Sequence, residues 1–314
     1  MPASPLWRKQ FTRRALLHHA VTLLVGSRLA LVADLPGFRS ITTLPATLEN
    51  GSPFLLTVAP AAKVTQIKAT WIGKDLLFFH EKSQQDSEVW YALTGIDVET
   101  TPGSYPLTIE ATTTDGKPLQ ATMQIPVGAA KYRTGTITVA PNFVEPDAAT
   151  LKEIAADKEI KDRVFAHSAD APEWSGDFAK PVNKPATDSF GTRRTFNGTM
   201  GNGKLASIHR GMDFRAPSGT PVAAANSGAV VLAQKLFYEG NCVVIDHGLG
   251  FTTIYMHLSR IDVVAGQRVR KGEHLGLSGA TGRVTGPHLH FAVRWQGAYL
   301  DPAGLFQLNL AGRP

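Results

Sequence analysis

The chain has 314 residues, 43% of them hydrophobic, with 29 Gly and 20 Pro, which suggests about two domains and favours turn-rich β structure over a helical bundle. The formal charge of +6 is uneven: residues 1–33 hold five basic side chains and no acid, residues 34–180 hold 13 basic against 19 acidic, and residues 181–314 hold 14 against 7. The basic half has no dense Lys/Arg run and no stacked aromatic platform, which argues against nucleic acid as a partner. The single cysteine, Cys242, excludes an internal disulfide and a Cys-based zinc site.

In chain order, residues 1–33 read as an export signal or a retained N-terminal anchor. The basic stretch Arg8 to Arg14 precedes an apolar run from Ala15 to Ala33. Thr12-Arg13-Arg14 also resembles a twin-arginine signal. Residues 34–130 alternate as strands do: Phe54–Val58, Val64–Ile72, Val89–Leu93, Tyr105–Ala111 and Leu119–Ile125, with Asp115-Gly116 marking a hairpin. About seven short strands of this kind predict a β-sandwich of immunoglobulin type. The stretch Thr101-Pro102-Gly103-Ser104-Tyr105 resembles a corner common in bacterial immunoglobulin-like modules. His80, the only histidine of this part, reads as a solvated or turn residue.

Residues 131–187 read as a helical linker. Pro146-Asp147 opens a helix over 146–167. Leu151, Ile154, Ala155, Ile160, Val164 and Phe165 form its apolar side, and Lys152, Glu153, Asp157, Lys158, Glu159, Lys161 and Asp162 its solvated side. Such a helix packs on one or both domains, and a plug over an active site is a second role for it. Residues 168–187, with Pro172, Pro181 and Pro185, lead into the last domain. From residue 188 to 314, short strands separated by Gly-rich turns and the absence of helices predict a compact antiparallel all-β domain. The fold class is thus mainly β throughout.

This last domain carries the chemistry. His209-Arg210-Gly211-Met212-Asp213, Tyr255-Met256-His257 and His288-Leu289-His290 supply four imidazoles and a carboxylate. Zinc takes neutral imidazole nitrogen and carboxylate oxygen, and a catalytic site uses three protein ligands; His209, Asp213 and His290 would supply that set. Gly211 between His209 and Asp213, and Pro217 soon after, favour a curling loop or strand edge over a helix. Residues two apart on a strand share a face, so His288 and His290 aim into one cleft. His257, at the end of its own strand, can reach in from a neighbour. Cys242 reads as a small buried strand residue, His247 and His274 as local hydrogen-bonding residues, and Lys271 as part of a tight β-turn.

Residues from about 185 to 306 resemble the lysostaphin/LytM family of zinc metallopeptidases, which cut peptide crosslinks in bacterial peptidoglycan. The resemblance rests on Ser189-Phe190-Gly191-Thr192-Arg193, His209 to Asp213, Ala216 to Val222, Val244 to Gly248, Tyr255 to Leu258 and Thr281 to Phe291. It implies Zn as cofactor, His209, Asp213 and His290 as metal ligands, and His257 and His288 as catalytic residues, either of which can be the base. It also implies a monomeric periplasmic or cell-envelope endopeptidase acting on peptidoglycan, at D-alanyl–diaminopimelate bonds or, alternatively, at a glycyl bridge. Cell-envelope regulatory proteins are implied partners. Some members have lost their ligands and act as cell-wall-binding regulators of amidases; this chain keeps all five matching positions. Members often carry an aromatic residue shortly before the first ligand, whereas Gly201 to Ser207 has none. Phe196 or Tyr238 is the candidate replacement.

Overall fold

The computed structural model describes residues 35–82, 88–143, 145–187, 189–196 and 207–311. The expected export signal and most of the stretch Gly201 to Ser207 lie outside the described residues. None of the helices among the described residues is long and apolar enough to cross a membrane.

The N-terminal half folds as β1 (Phe38–Leu44), β2 (Leu48–Glu49), β3 (Pro53–Pro60), β4 (Val64–Trp71), β5 (Lys74–Leu76), β6 (Phe79–Lys82), β7 (Glu88–Gly95), β8 (Gly103–Thr113) and β9 (Pro118–Gly128). These form a four-stranded sheet, β1-β3-β7-β6, and a five-stranded sheet, β2-β9-β8-β4-β5. The strands beyond the seven expected are short; β2 and β5 have two and three residues and lie at the sheet edges. Strict alternation places Ile67, Ala69 and Trp71 of β4 in the core and Lys68 and Thr70 in solvent, the period-two pattern of a half-buried strand. Trp71 packs edge-on against Phe54 of the other sheet, with ring centroids 5.8 Å apart. The Asp115-Gly116 hairpin forms as read, with Gly116 at φ +81. In the Thr101–Tyr105 corner, the Tyr105 hydroxyl donates to the Thr101 carbonyl at 2.5 Å.

The chain then runs through β10 (Thr134–Ile137), a 3-10 turn (Pro141–Phe143) and α1 (Ala148–Phe165). Asp147 caps α1 by accepting the Thr150 N–H at 2.8 Å, satisfying one of the unpaired donors of the first turn. The apolar and solvated sides are not divided as the spacing predicts. Leu151 is 53% exposed and Asp157 is 9% exposed. Asp157 and Lys161, expected on the solvated side, instead face the C-terminal half. Asp157 accepts from the Phe237 N–H, and Lys161 pairs with Glu239. Polar partners across an interface override an amphipathic pattern, and no periodicity announces them. Residues 168–187 are packed, with Trp174, Phe178 and Val182 buried.

The C-terminal half contains β11 (Arg193–Phe196), β12 (Ser207–Ile208), β13 (Met212–Phe214), β14 (Pro221–Ala223), β15 (Gly228–Leu236), β16 (Gly240–Asp246), β17 (Phe251–Ile261), β18 (Arg268–Val269), β19 (His274–Ser278), β20 (Leu289–Trp295), β21 (Ala298–Leu300) and α2 (Pro302–Gln307). The main sheet has nine strands around the path β13-β20-β17-β16-β15-β18, and its pairings are antiparallel. A small separate sheet, β10-β11-β12, joins the segment before α1 to the last domain.

Both faces of the nine-stranded sheet are covered. Val243, Ile245, Tyr255, Phe291 and Val293 belong to the large core shared with the N-terminal half. Cys242, Val244, Ile254 and Ala292 form a second cluster on the opposite face, against Ile160, Val164 and Phe165 of α1. The near-continuous burial of β16 and β20 follows from this double cover. The halves meet through the Asp301 N–H donating to the Gly51 carbonyl at 2.7 Å, and Phe79 packs on Trp174 of the connecting segment, with ring centroids 5.6 Å apart.

Candidate metal centre

The second face of the nine-stranded sheet opens at one end into a cavity of about 300 Å³. Strand parity decides which side chains reach it. On β20, Leu289, Phe291 and Val293 point into the large core, so His290 and Ala292 point to the other face. On β13, Met212 and Phe214 are likewise in the core, which turns Asp213 outward beside His290, its cross-strand partner. His209 lies in the loop after β12, fixed by its N–H donating to the Thr192 carbonyl at 2.9 Å and its carbonyl accepting from Gly191 at 2.8 Å.

Gly211 lies between them because nothing larger fits. A Cβ there would lie 2.4 Å from His290 Nε2 and 2.7 Å from the Phe291 carbonyl oxygen. The chain must pass under the His290 ring to bring His209 and Asp213 to the same point. That is the physical content of the His-X-Gly-X-Asp spacing.

His257 needs a further device. By alternation from Tyr255, a core residue, it would point into the core. The β16–β17 register shifts between the Asn241↔Leu258 and Val243↔Tyr255 pairs, and His257 itself has φ +65. This bulge returns Leu258 to the core and turns His257 to the cavity. A left-handed non-glycine residue costs of order 1–3 kcal/mol and persists only when its surroundings hold it. His288, just before β20, shares His290's parity and lines the same cavity.

The donor atoms converge. His209 Nε2 lies 2.9 Å from His290 Nδ1 and 3.0 Å from Asp213 Oδ1, and His290 Nδ1 lies 2.9 Å from that same oxygen. A triangle of this size leaves a point about 2 Å from all three atoms, the bond length zinc makes to imidazole and carboxylate. The hydrogen bonds behind the site fit the same purpose. His209 Nδ1–H donates to the Ser189 carbonyl at 2.9 Å, His257 Nδ1–H to the Thr281 carbonyl at 2.8 Å, and His288 Nδ1–H to the Gly286 carbonyl at 2.8 Å. A carbonyl can only accept, so each neutral ring presents a bare Nε2 forward. Lone pairs from His209, His290 and Asp213 therefore meet with too few protons to share among them, an arrangement that suits a cation.

Electrostatics agree. Burial lowers the His290 pKa to about 4, so its ring is neutral near pH 7. Burial, helped by His290 and His288, lowers His257 to about 3. Burial raises Asp213, but the His209 and His290 rings against it outweigh that and hold the carboxyl well below the usual range. Arg194 Nη2 donates to the second carboxylate oxygen, Oδ2, at 3.3 Å, leaving Oδ1 to face the histidines. The His257 and His288 ring centroids are 5.0 Å apart, and His288 Nε2 is 3.7 Å from Asp213 Oδ1.

All five residues singled out in the sequence line one cavity. Tyr238 lines it too, with the Arg283 guanidinium 4.5 Å from its ring centroid. The Phe196 side chain lies outside the described residues. His247 is buried and bonds the Ser227 carbonyl and Thr253 hydroxyl, away from the cavity. The spacing gave no sign of Arg194, Glu239 or Tyr299, nor of Ile137 and Val139 from the segment before α1, which also line the cavity. Their roles depend on tertiary approach, and no local pattern marks them.

Peptidase family M23 matches residues 207–302, the segment that contains the whole histidine–aspartate cluster. Over 90 residues the chain is 51% identical to the peptidoglycan DD-endopeptidase ShyA of Vibrio cholerae, a match covering 29% of this chain and 21% of that protein. Over 98 residues it is 42% identical to the DD-carboxypeptidase/endopeptidase Mpg of Neisseria meningitidis, covering 31% and 23%. The chain thus matches only about a fifth of the length of these curated relatives. A crystal structure from Pseudomonas aeruginosa, assigned to peptidase M23, extends the likeness: it is 30% identical with a TM-score of 0.59 and covers 82% of this chain and 94% of its own. Shared over nearly the whole of that protein, the N-terminal half included, this likeness shows that the chain belongs to peptidase family M23.

Proposed function

We propose that the chain is an exported zinc-dependent endopeptidase that hydrolyses peptide crosslinks of bacterial peptidoglycan, with D-alanyl–diaminopimelate bonds as its substrate. The observation that carries this reading is the triangle of His209 Nε2, His290 Nδ1 and Asp213 Oδ1, with the bare Nε2 atoms of His257 and His288 beside it. The DD-endopeptidase names of relatives sharing this segment support the bond class. The protein acts as a monomer in the periplasm or cell envelope, within reach of envelope regulators.

In this reading His209, Asp213 and His290 hold the metal. When bound, zinc supplies Lewis-acid polarisation of a scissile carbonyl and acidification of water. The remaining chemistry belongs to the chain. Arg194 keeps the Asp213 carboxylate turned so that one oxygen faces the two histidines. His257 and His288 divide the proton traffic: one neutral imidazole accepts the proton of the attacking water, and the other, protonated, stabilises the oxyanion and delivers a proton to the leaving amine. His288 is the more exposed of the two, half-buried where His257 is buried. The Thr281 and Gly286 carbonyls fix both rings for these transfers.

The test is digestion of purified sacculi with and without chelator, followed by muropeptide analysis. Crosslinked dimers should fall to monomers with chelator-sensitive kinetics, and the new termini report the bond. Unchanged sacculi together with a stimulated amidase would assign the chain instead to the wall-binding regulators.

A further inference from the structure

The helix before the peptidase segment does more than cover the sheet. Its side-chain hydrogen bonds to the C-terminal half converge on residues 236–240, the tip of the β15–β16 hairpin, which lies between α1 and His257. On the α1 side, Asp157 Oδ2 accepts the Phe237 N–H at 2.6 Å, and Lys161 Nζ meets Glu239 Oε1 at 2.6 Å. The second Glu239 oxygen is buried and has no hydrogen-bond partner among the described residues, so Lys161 holds the carboxylate through Oε1. Phe143, just upstream of α1, packs on Phe237 at 5.1 Å and Tyr238 at 6.3 Å between ring centroids.

On the other side the tip holds His257. The Glu239 carbonyl accepts the His257 N–H at 2.9 Å, and the Tyr238 carbonyl accepts the Arg283 N–H at 2.9 Å. The Asn241 N–H donates to the Thr281 hydroxyl at 2.9 Å, and that hydroxyl donates to the Leu258 carbonyl at 2.8 Å. A Cβ on Gly240 would lie 2.3 Å from Thr281 Oγ1, so tip and loop are in direct contact. The Thr281 carbonyl is the group that fixes the His257 ring. Both restraints on His257, at its backbone and at its ring, therefore trace back to the hairpin tip. A residue at φ +65 depends on such restraints.

A helix needed only to cover apolar strands would gain most from apolar residues at every facing position. Burying a carboxylate and an ammonium costs desolvation energy that well-packed hydrophobic residues avoid. At 157 and 161 the chain instead carries directional groups aimed at one backbone N–H and one carboxylate. We propose that α1 is a clamp on the hairpin tip and that Asp157 and Lys161 are positioning residues for His257. The proposal rests on the reading of His257 as a proton-transfer residue and extends the catalytic machinery outside residues 207–302.

The experiment uses the full chain and a purified crosslinked muropeptide dimer, with kcat, KM, bound zinc, thermal midpoint and the His257 Nδ1–H resonance as readouts. Asp157→Ala and Lys161→Met should lower kcat by about tenfold, the scale of a small misplacement of a catalytic group, with KM and bound zinc unchanged. The His257 Nδ1–H signal should exchange faster with water. Asp157→Asn keeps an acceptor oxygen for the Phe237 N–H and should recover most of kcat, as should Lys161→Arg. An inactive His257→Ala beside a fully active Asp157→Ala would overturn the clamp alone. Wild-type turnover in His257→Ala would overturn the reading of His257 and the clamp with it. A fall in kcat that tracks the thermal midpoint and is not recovered by Asp157→Asn would reduce α1 to a stability element and also overturn the proposal.

Discussion

The five-stranded sheet of the sandwich and the nine-stranded sheet are both built mainly from antiparallel strands, yet they treat their second faces differently. In β4 and β9 each buried residue is followed by an exposed one over most of the strand, and the outer face meets water. In β16 and β20 nearly every residue is buried, because α1 closes the outer face. A one-faced sheet has nowhere to shelter an imidazole from water. A two-faced sheet that is left open at one end provides a desolvated wall, and there His257 and His290 are kept neutral. The difference teaches that the site depends on the cover as much as on the strands.

Substitutions can break this comparison, and the largest effect is expected at the triangle. His290→Ala removes a donor and should abolish both zinc binding, read by metal analysis of the purified protein, and dimer cleavage. Gly211→Ala should come close to it, since the added methyl would lie 2.4 Å from His290 Nε2; loss of zinc with retained near-UV dichroism is the expected signature. His288→Ala should keep most of the zinc while kcat falls by about 10²–10⁴, the usual contribution of a general acid or base. A variant of His288 with wild-type turnover would remove that imidazole from the mechanism.

The sandwich should answer differently. Trp71 is fully buried between its sheets, so Trp71→Ala should cost about 3–5 kcal/mol of stability. The kcat of its folded fraction and its bound zinc should stay at wild-type values, and a chemical-denaturation series run beside the dimer assay separates the two quantities. The smallest expected effect comes from acid. Burial lowers His247 to about 4, below the ordinary value of about 6.5. The unfolded chain therefore takes up a proton that the folded chain refuses. The stabilisation is present above pH 6.5 and is lost as pH falls towards 4, by roughly 3 kcal/mol from this residue. His257 and His290 have the same sign in the metal-free protein. Urea midpoints measured between pH 7 and pH 4 should fall steadily, and His247→Gln should flatten part of that slope.

Much of this was legible in the chain itself. Alternation placed strands of the N-terminal half such as β4, β8 and β9, because one buried face per strand leaves a period of two in the sequence, and Gly-rich turns between short runs marked those of the C-terminal half. The Asp147 cap and the Asp115-Gly116 turn were equally local signals. The spacing of His209 with Asp213, the His288–His290 pair and the resemblance to the lysostaphin/LytM family together singled out His209, Asp213, His257, His288 and His290. Gly211 marked a curling loop or strand edge in place of a helix, and the structure adds that the backbone there passes against the His290 ring.

Other features had no local signature. The helical pattern put Asp157 and Lys161 on the wrong side, because a buried carboxylate bonded to a distant N–H looks the same in sequence as a solvated one. Arg194 gave no hint of its reach to Asp213 Oδ2, a contact set by the approach of β11 to β13. The direction of His257 depended on a bulge, and strict alternation would have sent it into the core. The sequence by itself determined the strands and the inventory of the site, which follow from hydrophobic periodicity and residue chemistry. Tertiary structure alone decided which face of each strand the histidines use and what holds them there, because both depend on contacts between residues far apart in the chain.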